Sequence, residues 1–411
     1  MKRAVIILAA LVIGLLLGVA TGDAVPLLRE IADVIGTMWL NGLRMTVIPL
    51  VVALLVTGIL QTADAASTGK LATRAILTML IVLWAVTIMA ALLTPALIAM
   101  IPMPDGAGDA LRGALGTVAP SEPPPPFGDF LRAMIPTNPI NAAANDAILP
   151  LIIFTIAFAF AATQLPPEKR QTIKHFFEAI AEAMVVVIGW VLLLAPLGVF
   201  ALGVVLGITA GAAAFGALAH YVIIVSAIGF VIFLSAYLVA MFGARFRFLD
   251  FVRAAIPAQA VAISTQSSLA SLPTMVQGAK QLGVGARSTD IVLPIAVAIF
   301  RATSPAMNIA VALYVAHWMG IDLGPQEIAI GVAVAAITTL GSVSLPGTIS
   351  FIASIAPICL AMGVPIEPLG LLIAIETFPD IMRTLGNVTM DIAVTGTVAR
   401  AEGDLATGER A

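Results

Sequence analysis

Charge is what this sequence has least of. Asp, Glu, Lys and Arg make up 10% of its 411 residues, whereas 60% are hydrophobic. Soluble domains carry about 25% charge, so a water-soluble globule is excluded, and a mean hydropathy of +1.09 reads as a polytopic membrane protein. A formal net charge of -3 gives no basic footprint for nucleic acid. Cysteine is almost absent: Cys359 stands alone, which excludes an intrachain disulfide and a cysteine-rich metal site. His175, His220 and His317 have no partner at metal-ligand spacing and read as loop or interface residues. No base stands beside a serine at catalytic spacing and no nucleophile-elbow pattern occurs, so no enzyme is indicated.

Long apolar runs are what the chain does have. Stretches near the ~20 residues that cross a bilayer cover about Ala4–Ala20, Met38–Leu60, Ala75–Ile101, Ala147–Ala162, Ala179–Leu206 and His220–Met241. The N-terminal run lacks a convincing A-x-A cleavage site and is followed by further runs, so a retained first helix is expected. Pro102–Pro126 contains PSEPPPP and reads as an external loop.

Three later segments are different. Ile256–Gly278 has apolar ends around a Ser/Thr/Gln centre with Pro273. Ile291–Trp318 is interrupted by TSPAMN around Pro305. Ile328–Met362 carries GSVSLPGT at its middle; as one helix it would run ~50 Å, too long for a bilayer core. Irregular backbone at membrane depth is tolerated only where it is buried or lines a cavity. Re-entrant hairpins with tips at Ser264–Pro273 and Gly341–Thr348 are therefore expected. Hairpin then span, twice, is the pattern of an internal repeat with a binding site between the copies.

Basic residues set the orientation. Lys2 and Arg3, Lys70 and Arg74, Lys169, Arg170 and Lys174, Arg245, Arg247 and Arg253, and Lys280 and Arg287 fall on one side. Asp105, Asp109, Glu122, Asp322 and Glu327, with Arg112 and Arg132, fall on the other. Both termini are then cytoplasmic, and the two hairpins enter from opposite faces.

The most informative stretch is ETFPDIMRTLGNVTMD, Glu376–Asp391. Glu376, Asp380, Arg383, Asn387 and Asp391 follow at spacings of four, three, four and four, which puts them on one helix face. Charged groups in a membrane helix are too costly to face lipid, so the stripe must face protein, water or ligand. The alternatives for the stripe as a whole are an ion-pair ladder that only joins helices, and for Glu376 a plain boundary carboxylate. Arg383 offers a fork suited to a carboxylate; Asp380 can pair with it in an empty site or hold an ammonium group. Ser267 and Ser268 stand where free N–H groups at a helix start suit a second carboxylate. Asn387 and Asp391 are hard oxygen ligands for Na+, and Thr303, in the TSPAMN interruption, joins that candidate set.

With these residues in hand, the chain resembles the glutamate-transporter, or dicarboxylate/amino acid:cation symporter, family along nearly its whole length. The resemblance rests on LRMTVIPLVVALLVTGI in the second run, IPTNPINAAANDAILPLIIFTIAFAFA at Ile135–Ala161, LAPLGVFAL at Leu194–Leu202, the serine-rich tip at Thr265–Pro273 and RTLGNVTMD at Arg383–Asp391. It implies an all-α membrane protein of eight transmembrane helices plus two opposed re-entrant helical hairpins. It implies a homotrimer in the inner (plasma) membrane, with a scaffold (residues 1–68 and 127–212), a moving transport domain (69–126 and 213–400) and a cytoplasmic tail (401–411). It implies symport of an acidic amino acid with Na+ or H+. Asp380 would take the substrate amino group, Arg383 a side-chain carboxylate, and Ser268 the α-carboxylate through its backbone. Thr384 and Asn387 would be further substrate contacts, Asn387 and Asp391 sodium ligands, and Leu345, Pro346 and Gly347 part of an extracellular gate.

The chain departs from the family in the seventh span, where the family reads Asn-Met-Asp-Gly-Thr ahead of Ala-Leu-Tyr. Aligned on Ala312–Leu313–Tyr314, this chain has Met307, Asn308, Ile309, Ala310 and Val311. Ile309 then replaces a sodium-ligating carboxylate, so at least one sodium site is expected to be missing. Gln266 stands where several prokaryotic members carry an arginine. Other readings are a symporter for a neutral amino acid or a C4-dicarboxylate, or, in another class, a membrane sensor or uncoupled channel.

Overall fold

The computed structural model describes residues 2–67, 69–103, 132, 134–211, 213–341 and 347–406. Among these the chain is helical, with one isolated bridge between Val284 and Leu405. Five helical runs are long and apolar enough to cross a membrane: Pro26–Ala66, Lys70–Met100, Pro167–Leu193, Ala213–Gly243 and Ala286–Met319. Val5–Thr21, Ile148–Thr163, Ala195–Ala210, Pro325–Leu340 and Phe351–Ala361 are shorter apolar helices. The protein is an all-α, multi-pass membrane protein.

Proline explains where the apolar runs divide. The second bends at Met45–Thr46 into helices Pro26–Arg44 and Val47–Ala66. Pro49 has no N–H to offer the carbonyl four residues back, at Met45. The fifth divides at Leu194 into Pro167–Leu193 and Ala195–Ala210, with Pro196 in the first turn of the second. A proline there loses nothing, because first-turn N–H groups have no helical partner.

Small residues bring two of these helices together. Lys2–Thr21 packs along Ala195–Ala210, where a Cβ on Gly18 would meet the backbone of Val204 and one on Gly207 the backbone of Leu15. Without a hydrophobic drive between helices in lipid, such close approach supplies the packing. Gly207→Ala should therefore lower the melting temperature, by an overpacking term of about 1–3 kcal/mol. Gly189→Ala, with open space at its Cβ, should not lower it; equal effects would show that the contact carries nothing.

The first hairpin consists of Phe248–Thr265 and Ser268–Gln281. It shares a core with the closing helix, Thr377–Ala401, through Phe251, Ala262, Met275, Val388 and Ile392. Gln259 Nε2 also donates to Thr389 Oγ1 at 3.1 Å. The second hairpin's arms are Pro325–Gly341 and Gly347–Ala361. Of its expected gate, Gly347 opens the returning helix, whereas Leu345 and Pro346 lie outside the described residues. Turn residues 373–376 lead into the closing helix, so Glu376 sits at its N-cap position rather than in its interior.

Candidate functional site

The five-residue stripe is buried in protein. Relative exposure is 2% at Glu376, 8% at Asp380, 4% at Arg383, 2% at Asn387 and 1% at Asp391. Arg383 holds both nearby carboxylates with a single nitrogen. Its Nη1 lies 2.6 Å from Glu376 Oε1 and 2.9 Å from Asp380 Oδ1. The other edge of the guanidinium, Nε and Nη2, is buried with no hydrogen-bond partner among the described residues. A planar fork with one edge in use and one edge idle can take a carboxylate side-on through two parallel hydrogen bonds.

The rest of the predicted site is placed as follows. Thr384 is buried and donates from Oγ1 to Asp380 O at 3.0 Å, one turn back. Asn387 Oδ1 accepts the backbone N–H of Thr303 at 2.8 Å. Asp391 Oδ1 and Thr303 Oγ1 are buried without a partner among the described residues. The closing helix approaches this region closely: a Cβ on Gly386 would run into Thr303 Oγ1. Asn387, Asp391 and Thr303 thus sit on two facing elements and offer neutral and anionic oxygens.

At the first hairpin tip, Gln266 takes a left-handed backbone, φ 52°, and turns the chain. Ser267 caps the returning helix, accepting the Ala270 N–H on Oγ at 3.2 Å. Ser267 and Ser268 are half-buried, and the hydrogen bonds of Ser267 stay within the hairpin.

The interruption of the seventh span lies earlier than its TSPAMN stretch suggests. A π-helical turn, Ala296–Phe300, is followed by Arg301 at φ 34°, and the helix restarts at Thr303–Met319. Pro305 is the cause: it has no N–H for the Arg301 carbonyl, which accepts from Ser304 instead at 2.9 Å. Met307–Val311 are buried, regular helix. Ile309 packs against Gly331 and Met307 against Gly229. The residues at the break, beside the closing helix, are Arg301, Ala302 and Thr303.

Sequence spacing missed the support for Glu376. Tyr221, fully buried and 155 positions away, donates to Glu376 Oε2 at 2.8 Å. Tyr221 packs edge-on against Tyr314, and the Tyr314 hydroxyl is 2.9 Å from His220 Nδ1. His220 is thus an interior hydrogen-bonding residue, tied also to the Ile101 carbonyl at 2.6 Å. Nothing in local periodicity pairs positions so far apart. Tyr221→Phe leaves Glu376 Oε2 without its donor in a buried site, so a stability loss of about 1–3 kcal/mol is expected. A thermal melt of the purified variant checks this; an unchanged midpoint would show that the bond contributes nothing.

Comparison with known proteins agrees with this architecture. The family model described as the sodium:dicarboxylate symporter family matches residues 5–401. The proton/sodium-glutamate symport protein of Bacillus subtilis (strain 168) is 28% identical over 95% of this chain and 91% of its own length. The proton/glutamate-aspartate symporter of Escherichia coli (strain K12) is 26% identical over 96% and 92%. A C4-dicarboxylate transport protein of Rhizobium etli is 26% identical over 98% and 90%. With a family match that runs nearly end to end, across both hairpins and the buried polar stripe of the closing helix, the chain belongs to the sodium:dicarboxylate symporter family.

Proposed function

We propose that the protein is a secondary active symporter that carries an acidic amino acid, such as aspartate or glutamate, by elevator-type alternating access. The observation that carries this reading is the half-used guanidinium of Arg383, with its Nε and Nη2 idle. A substrate carboxylate would dock on that edge. Asp380 would take the ammonium group, with Thr384 and Asn387 beside it. Ser268 would offer its backbone N–H to a second carboxylate from the start of a 14-residue helix that Ser267 caps, the Ser267 N–H itself going to Thr265 Oγ1 at 3.3 Å. Two of the relatives above are named for glutamate, which supports the same substrate class.

The coupling ions in this reading are Na+ or H+, and fewer of them than the family pattern implies. Asn387, Asp391 and Thr303 are the oxygen set that remains. Residues 291–321 contain no Asp or Glu, so around the break the seventh span has no carboxylate to contribute in either register; Asp290, at the start of the span, is exposed.

The moving unit would be residues 69–126 and 213–400 against a scaffold of 1–68 and 127–212, in an inner-membrane homotrimer with cytoplasmic termini and a gate at Leu345–Gly347. Support comes from Lys70–Met100, which packs on Thr303–Met319 and reaches Ala401 through Arg74 Nη1 at 2.7 Å. Arg44 crosses the proposed boundary to Glu367 at 3.1 Å and pairs on its own side with Asp146, also at 3.1 Å. Exposed pairs of this kind are worth about 0–1 kcal/mol, so this pair adds little to the packing of Val47–Ala66 on Pro325–Gly341 that also spans the boundary.

Uptake of labelled aspartate into proteoliposomes, with sodium and proton gradients varied separately, tests the reading. Concentrative uptake driven by one gradient is expected. Uptake that needs three sodium ions would refute the coupling claim, and no uptake of any acidic amino acid would refute the substrate claim. A second reading, transport of a C4-dicarboxylate, is supported by the Rhizobium etli relative. It leaves Asp380 without a ligand group to bind.

A further inference from the structure

We infer that Tyr221 is a positioning residue that keeps the substrate edge of Arg383 open: by holding one oxygen of Glu376, it stops that carboxylate from closing on the guanidinium as a two-pronged pair. This rests on the symporter reading above and adds to it a residue from another helix.

A carboxylate and a guanidinium in contact favour two parallel hydrogen bonds. Glu376 and Arg383 are buried and touch, Oε1 to Nη1 at 2.6 Å. Yet Nη2 and Nε have no hydrogen-bond partner among the described residues, and Oε1 makes no hydrogen bond of good angle. The arginine has a second donor to give and the glutamate a second oxygen to take it. The fork is not formed.

The second oxygen is held elsewhere. Tyr221, on Ala213–Leu238, donates to Glu376 Oε2 at 2.8 Å. Its side chain is 0% exposed, and its ring stands edge-on to that of Tyr314, centroids 5.3 Å apart. Tyr314 is anchored in turn, its hydroxyl 3.1 Å from the Ala217 carbonyl and 2.9 Å from His220 Nδ1. Packing thus fixes the phenol from behind. Glu376 has no such support from its own helix, because it stands at the N-cap position, ahead of the first turn of Thr377–Ala401. Asp380, the other carboxylate on Nη1, lies inside that helix. Of the two acids, Glu376 is the one whose orientation is set from outside.

Two carboxylates on one guanidinium could neutralise the site and leave nothing for a ligand. With Oε2 engaged by Tyr221, the Nε and Nη2 hydrogens stay available side by side. Without the Tyr221 hydroxyl, a turn of the Glu376 carboxylate brings Oε2 to Nη2. The open edge then loses half its donors, and an acidic substrate must displace a resident carboxylate to dock.

Aspartate affinity of the purified, full-length protein, read from the ligand dependence of its melting temperature, tests this. Tyr221→Phe should bind aspartate and glutamate roughly 10-fold or more weakly than wild type. Glu376→Gln has no charge with which to form the fork. Tyr221→Phe/Glu376→Gln should therefore bind aspartate as tightly as Glu376→Gln alone, and more tightly than Tyr221→Phe. A tyrosine that only packs the core would lower the ligand-free melting temperature and leave aspartate affinity unchanged; that result overturns the inference. So does a double variant that binds much more weakly than Glu376→Gln alone, a comparison that decides the matter even if Tyr221→Phe alone does not fold. A wild type with no response to either acid overturns the symporter reading and this inference with it. Wild-type binding that Tyr221→Phe matches overturns the inference alone.

Discussion

Arg383→Ala is expected to abolish binding of aspartate and glutamate. Loss of one partner from a buried, hydrogen-bonded charge pair costs about 2–5 kcal/mol, which is roughly 30- to 5,000-fold in affinity. The variant has a second consequence that must be separated from the first. Arg383 also balances Glu376 and Asp380, at 2.6 and 2.9 Å. Removing it strands two buried carboxylates, a destabilisation of about 3–5 kcal/mol. Arg383→Ala/Glu376→Gln relieves part of that strain while leaving the carboxylate site just as empty. The expected result is a double variant that melts well above the single one yet still binds no acidic amino acid. Binding restored along with stability would mean that the arginine is structural and the ligand sits elsewhere.

Asp380→Asn should split substrates rather than remove them all. The side chain keeps its size but loses the charge that would meet an ammonium group. A hydrogen bond to a charged group contributes about 1.5–3 kcal/mol, so aspartate should lose roughly 10- to 150-fold in affinity. Succinate has no ammonium group and is repelled by a carboxylate at this position, so its affinity should hold or rise. Thermal shifts measured with each ligand on wild type and variant give the comparison. Equal losses for both ligands would show that Asp380 only supports Arg383. A wild type that prefers succinate to aspartate would favour the dicarboxylate reading.

Much of this was legible from residue spacing alone. The four, three, four, four stripe is buried, in a closing helix that is buried nearly all round, and its alignment is legible because helical periodicity is a local property of sequence. The pairing of Arg383 with Asp380 followed from the same spacing. Glu376 was harder to read. Its partner Tyr221 is 155 positions away, and only the tertiary fold brings them together. Proline placement is a further local signal. Pro49 and Pro196 mark where the second and fifth apolar runs divide, and Pro305 marks the Arg301 carbonyl as the point of interruption. Met307–Val311, where the alignment on Ala312–Leu313–Tyr314 puts the departure from the family pattern, are buried, regular helix. The absence of any carboxylate between residues 291 and 321 holds in either register, so the expectation of altered cation coupling does not depend on that alignment.

The central claim is that the idle Nε–Nη2 edge of Arg383 receives a substrate carboxylate. Cryo-electron microscopy of the full-length protein with saturating L-aspartate tests it most directly. The account predicts ligand density with one carboxylate side-on against that edge and the ammonium group at Asp380. Arg383 still held only by Glu376 and Asp380, with the aspartate bound away from it, would contradict the account.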